Sequence, residues 1–284
     1  MTTNRRTGLF FAATFIWTWA CYAPLVATGQ SPYAMPGMIF LIAGGMGPSL
    51  VGVLLVLFTY EPAARRDFWR RCFAPGLIGG RWWLVMALIF PLIYLLAVAL
   101  DLALGGTLPG LEQLRGLLAQ PGAWPLAILL SFLSGPWSEE FGWRGVALDP
   151  LLARGGLVGG SALLGGLWGV WHLPLYLMPA TWHGQMGFQL AGFWSFLLLN
   201  VGLALLMSWV YVHTQRSILT GFLLHLTANF TSQLVAPVSN RVEVLRAVFI
   251  CGVGLAACLL TERRAARRQA APAMTAGPTL PSQS

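Results

Sequence analysis

Ser138-Glu139-Glu140-Phe141-Gly142-Trp143-Arg144 sets two adjacent carboxylates and an arginine inside a long apolar stretch. The 284-residue chain has only nine acidic residues, so two side by side concentrate a scarce group. A charge at the centre of a membrane helix costs roughly 2.5–3.5 kcal/mol on insertion scales, and such a cluster marks a functional site by default. The rest of the sequence reads as a scaffold that holds this cluster, and the later histidines able to meet it, in a shielded cavity.

The chain is 57% hydrophobic and 9% charged, with a mean hydropathy of +0.70. Soluble domains are about 25% charged. This balance predicts an all-α, polytopic membrane bundle in contact with the lipid bilayer. The net charge is +8, carried by arginine without any lysine. The arginines sit at the ends of apolar runs, where they orient a membrane protein, so nucleic acid is not an expected partner. Cys21, Cys72, Cys251 and Cys258 show neither a disulfide framework nor zinc-finger spacing.

Each span takes about 20 residues, and about eight spans are expected. The first run, about 8–27, follows Arg5-Arg6, which resembles a twin-arginine signal, and contains Ala20-Cys21, which faintly resembles a lipoprotein cleavage site. The run is too long for a signal core, and Thr18 stands where lipoprotein signals usually carry leucine, so it reads as a retained span. Further spans are expected at about 36–60, 82–103, 123–154, 157–178, 190–212, 217–235 and 244–260. Residues 61–81 mix five arginines with Phe68, Trp69 and Phe73, as in an interfacial helix or a charged loop. Asp149-Pro150 is expected to bend or restart its helix. Gly156/Gly160 and Gly165/Gly169 have the small-xxx-small spacing of close helix packing. Residues 1–260 form one bundle with a core at about 120–235, and 261–284 read as a disordered cytoplasmic tail. Thirteen arginines fall on the side of the two termini, and only Arg115, Arg241 and Arg246 fall on the other. Both termini are therefore expected in the cytoplasm of a cell membrane.

The polar groups share a depth. Glu140 lies about 15 residues before the turn at Gly155-Gly156 and His172 about 16 after it; Asn229 lies about 14 past the next turn, with His225 one helical turn nearer the arginine side. Successive helical residues point about 100° apart, so Glu139 and Glu140 aim differently. Arg144, at i+4, is expected to neutralise Glu140. Glu139 has no equal local partner and suits a general base. His225 and Asn229 share a helix face and offer donors where negative charge develops. Water activation by Glu139 and His172, with His225 and Asn229 holding an oxyanion, would hydrolyse an amide. Taken singly, each of these residues reads as well as packing; their conjunction carries the argument. His183 and His213 are expected in solvated loops.

The zinc-protease pattern His-Glu-x-x-His and the Gly-x-Ser-x-Gly elbow are both absent. A zinc set of Glu139, His172 and His225 is chemically open, although the favoured chemistry requires no cofactor. Two other classes stay open: a membrane partner or immunity-type protein that binds a peptide in the same cavity, and a proton-coupled transporter.

Glu139-Glu140-x-x-x-Arg144, Trp168-x-x-x-His172 and His225-x-x-x-Asn229 resemble, in order, the three motifs of the CAAX-processing and bacteriocin-processing (CPBP) intramembrane proteases, the type II CAAX prenyl endopeptidase family. The resemblance covers about residues 120–235. It implies a helical membrane core and a glutamate-dependent peptidase acting on a peptide or protein, with its site open to the cytoplasm. It further implies that Glu139 and His172 activate water and that His225 and Asn229 form the oxyanion site. Trp168 stands where the family usually has phenylalanine, which implies an altered cavity shape and intact chemistry.

Overall fold

The computed structural model describes residues 1–236 and 238–270. Among the described residues it is helical throughout its ordered elements, with no strand. The first helix, α1 (Thr3–Thr28), is followed by α2 (Gly37–Gly45) and α3 (Gly47–Thr59), which meet at a 49° bend. Glycines permit close helix packing here. A Cβ on Gly44 would sit 2.3 Å from the Tyr22 ring, and one on Gly47 would sit 2.3 Å from the Thr18 hydroxyl. Residue Thr18 is buried and ties three helices together: its hydroxyl donates to the Gly44 carbonyl (2.7 Å) and accepts from the Trp171 indole (2.9 Å). The first apolar run is thus part of the bundle.

The arginine-rich stretch forms α4 (Pro62–Phe73). It is anchored rather than loose. Phe68 is fully buried, and Arg71 reaches the Tyr211 hydroxyl (2.7 Å). Next come α5 (Gly80–Ala103) and the short α6 (Glu112–Ala119). The acidic stretch is built from α7 (Trp124–Leu133) and α8 (Pro136–Gly142), joined through Ser134-Gly135, then a π-helical turn at Trp143–Ala147, then α9 (Leu148–Trp171). The restart expected near Pro150 falls at Leu148. A π turn inserted in a helix re-aims the side chains that follow and often accompanies functional residues.

Six segments are long and apolar enough to cross a membrane, or seven if α2 and α3 count as one broken span, against about eight expected from the sequence. One of them, Pro121–Leu177, runs for 57 residues. It cannot be a single rod. The Trp168 indole donates to the Glu139 carboxylate at 2.5 Å, whereas 29 residues of straight helix span about 43 Å. The reversal lies at Gly156, whose φ of 68° and ψ of −174° are open essentially to glycine alone. Gly160 is part of the same turn, packed on the Leu151 carbonyl, so the Gly156/Gly160 pair makes a reversal rather than a helix interface. Gly165 and Gly169 do serve packing, against Val201 and Leu197 of α11 (Ser195–His213).

After the short α10 (Trp182–Met186) and α11 come α12 (Ile218–Val235) and α13 (Asn240–Ala270). The last helix runs on from Thr261 to Ala270, where a disordered tail was expected. The reason is visible at Glu262, whose carboxylate accepts the Leu157 and Val158 N–H groups (2.6 and 3.1 Å) that the Gly156 break leaves open. The rest of the expected tail, 271–284, lies outside the described residues.

Gly156→Ala should destabilise the detergent-solubilised protein by about 1–3 kcal/mol in thermal unfolding, since alanine pays the full strain of this conformation. Gly159→Ala, whose new methyl would meet nothing within 4 Å, should be neutral or up to about 1 kcal/mol stabilising.

Candidate active site

Glu139, His172, His225 and Asn229 all line one cavity of about 790 Å³. Glu139 comes from α8, His172 from the end of α9, and His225 and Asn229 from α12. The hairpin at Gly156 returns His172 to the level of the acidic pair, as the residue counts from the turn predict.

The two glutamates point to different partners. Glu140 is fully buried and its Oε1 accepts from Arg144 (2.9 Å) and from His225 Nδ1 (2.8 Å). The pairing of Glu140 with Arg144 agrees with the i,i+4 expectation; the bond to His225 is tertiary and was not foreseen. Arg144 is itself buried, donates to Met207 Sδ (2.9 Å) and lies 4.5 Å over the Trp168 ring. Gly221 packs against this carboxylate: a Cβ there would stand 2.9 Å from Glu140 Oε2.

Glu139 was expected to lack an equal partner. Instead its Oε2 accepts two indole N–H groups, from Trp168 (2.5 Å) and Trp143 (3.2 Å). Both donors are neutral, so they hold the carboxylate in place without cancelling its charge. Among the described residues its Oε1 has no hydrogen-bond partner, which leaves that oxygen for a molecule in the cavity. Trp168 therefore does more than shape the cavity. A phenylalanine there would keep the ring against Arg144 and His225 and lose the N–H.

His172 Nδ1 lies 2.9 Å from the Trp168 carbonyl. A carbonyl only accepts, so this nitrogen carries the proton and Nε2 keeps its lone pair. By the same logic His225 donates from Nδ1 to Glu140. Its Nε2 and the Asn229 amide then face Gly135. An ideal Cβ on Gly135 would lie 2.7 Å from Asn229 Nδ2 and 2.9 Å from His225 Nε2. One point thus lies within hydrogen-bond reach of both nitrogens, the spacing of an oxyanion hole.

His183 is not the solvated loop residue expected from the sequence. It sits on α10, lines the same cavity and stacks on His172 with ring centroids 5.8 Å apart. Burial pushes its pKa below the ordinary histidine value, so it adds no positive charge beside His172 near neutral pH. His213 is exposed, on the far end of α11, as expected. No three His, Cys, Asp or Glu side chains gather as a metal-holding group among the described residues, the set Glu139, His172 and His225 included.

A cavity lined by Glu139, His172, His183, His225 and Asn229, inside a polytopic helical bundle, defines a membrane protein with a polar chamber among its helices. Residues 121–231, which hold all three motifs, match the family model described as type II CAAX prenyl endopeptidase Rce1-like. A protein of Methanococcus maripaludis named CAAX prenyl protease 2 is 26% identical over 232 residues, covering 80% of this chain and 84% of that protein. These findings support the resemblance to the CPBP family that the three motifs carry.

Arg144→Met should destabilise by about 3–5 kcal/mol in thermal unfolding, because it strands the buried Glu140 charge. Adding Glu140→Gln to that variant should recover most of the loss; equal instability of the single and double variants would refute the pairing.

Proposed function

We propose that this chain is an intramembrane endopeptidase of the CAAX type that works by glutamate- and histidine-activated water. The observation that carries the reading is the convergence of Glu139, His172, His225 and Asn229 on one cavity. A water held by Glu139 Oε1 and His172 Nε2 has two acceptors for its protons. Its oxygen attacks the scissile carbonyl carbon as a proton passes to Glu139. The negative charge that develops on the carbonyl oxygen falls beside Gly135, where Asn229 Nδ2 donates and where His225 Nε2 donates whenever both ring nitrogens carry a proton. The C–N bond then breaks as the proton moves from Glu139 to the departing amine nitrogen. The two indoles on Oε2 hold the carboxylate still through both transfers, and no metal is needed for any of these steps.

The relative's name speaks of CAAX prenyl substrates. A membrane-associated peptide is the substrate class carried over to this chain.

The test needs no known substrate. Membrane fractions from cells making the wild-type protein or a variant are compared by mass-spectrometric mapping of new peptide termini. Termini that depend on the wild type should vanish with Glu139→Gln and with His172→Ala, since loss of a general base costs about 10²–10⁴ in rate. Retention of those termini in either folded variant sinks the assignment. They should persist in preparations stripped of metal by chelation; their loss, with recovery on adding zinc, would replace the glutamate mechanism with a metal one. Gly135 sits at φ −144° and ψ −74°, outside the main regions open to other residues, so folding of Gly135→Ala is checked by thermal unfolding before its activity is read. The variant should slow cleavage by about 10²–10³, because its methyl occupies the oxyanion position.

A further inference from the structure

One buried ion pair on the cavity wall takes no part in activating water. Glu243 and Arg246, near the start of α13, line the same cavity as Glu139 and Asn229. Their side chains are only 10% and 8% exposed, and Arg246 Nε donates to Glu243 Oε2 at 2.6 Å. Burying two charges costs free energy even when they are paired, and an apolar pair of similar volume is often as stable or more so. Stability alone therefore does not account for these two residues.

The pair is not used up by the protein. A guanidinium has five N–H groups. Those of Arg246 reach Glu243 Oε2 from Nε and Nη2, and reach the Tyr94 hydroxyl and, at 3.4 Å, Ser232 from Nη1. One Nη2 hydrogen is left without a partner among the described residues. Both bonds to Glu243 fall on Oε2, and its Oε1 likewise has no hydrogen-bond partner among the described residues. One donor and one acceptor are thus free on a unit that carries no net charge.

Helix α12 sets the distance of this unit from the reaction. His225, Asn229 and Ser232 follow one another at i, i+4 and i+7, the spacing of one helix face, and all three line the cavity. Ser232 lies about 4.5 Å of helical rise past Asn229. Arg246 reaches Ser232, so the ion pair stands about one helical turn from the oxyanion position beside Gly135. An extended peptide advances about 3.3 Å per residue. With its scissile carbonyl at Gly135, such a peptide brings a group one or two residues away to the pair.

We infer that Glu243 and Arg246 form a second binding site in the cavity, which takes an amide group of the substrate one or two residues from the scissile bond. An amide offers C=O to the Arg246 donor and N–H to the Glu243 acceptor through adjacent atoms. A carboxylate would meet the like charge of Glu243, and an ammonium that of Arg246. The amide is a backbone peptide group or the side chain of asparagine or glutamine. The assignment rests on the peptidase reading and adds to it a grip on the substrate away from the reacting bond.

The experiment uses the full detergent-solubilised chain and a quenched fluorescent peptide copied from a cleavage site mapped in the membrane fractions. Glu243→Met combined with Arg246→Met removes both charges together, and Glu243→Gln, which keeps an oxygen for Arg246, is read in parallel; thermal unfolding checks both. In each, KM should rise about tenfold, the worth of one or two hydrogen bonds, with kcat changed less than about threefold. An unchanged KM in either folded variant overturns the inference. N-methylation of each peptide bond within two residues of the cleavage site, and exchange of any asparagine or glutamine there for leucine, separate the two sources of the amide. One of these changes should raise KM for the wild type and not for the double variant; if none does, the second site is refuted. Absence of Glu139-dependent cleavage fells the peptidase reading itself, whereas such cleavage with an unchanged KM in the variants fells the second site alone.

Discussion

Two neighbouring carboxylates buried in a membrane bundle set the terms for the rest of the structure. Left unpaired, either would cost more than the bundle could offset. The protein answers them differently. Glu140 meets cationic and imidazole donors, Arg144 and His225, in a layer without solvent. Glu139 meets two indole N–H groups that fix one oxygen and leave its charge on the other. A single helical step separates the roles, because about 100° of rotation sends one side chain into the packed interior and the other into the cavity. The aromatic wall follows from this division. Trp168 donates to Glu139, lies under Arg144 and meets the edge of His225, so one ring touches three of the four groups whose charges must be balanced.

The parts of this arrangement governed by local geometry are legible in the sequence. Glu140 and Arg144 pair because residues four apart on a helix meet. Glu140, His172 and Asn229 come level because helices of equal rise fold back at Gly156 and near Gln215. The class of bundle follows from composition alone. What the sequence conceals is tertiary. Trp143 stands four residues from Glu139, a spacing that could have suggested its bond, but nothing local marks Trp168 as a donor to the same oxygen. His183 looks like a loop residue because only the fold of the segment after α9 places it on His172. Gly135 gives no signal at all, since its role lies in the side chain it lacks. Glu262 sits in a charged stretch that reads as tail, and only the break at Gly156 explains why it is needed there.

The arginine-rich end of the bundle and the end opposite it are also products of different physics. The arginine-rich end is polar on its surface and cross-linked by Asp149, which joins α9 to α4 through Arg71 and to the end of α11 through Tyr211 and Arg216. The opposite end pairs Arg241 with Asp101 and Arg246 with Glu243, and leaves aromatic side chains such as Trp182, Phe188 and Trp194 exposed. The cavity draws its lining from the second end, and Glu140 and Arg144 beside it are buried. The π turn at Trp143–Ala147 lies at the junction of these two regimes and sets where Arg144 and the following helix aim.

The contact between Glu262 and the start of the second hairpin limb fixes an order of events during synthesis. The hairpin that brings His172 back to Glu139 is made more than a hundred residues before the carboxylate that closes its turn. Until the last helix threads into the membrane, Leu157 and Val158 have no such partner, and the two limbs can shift against each other. The turn between the two limbs is therefore completed by the final helix.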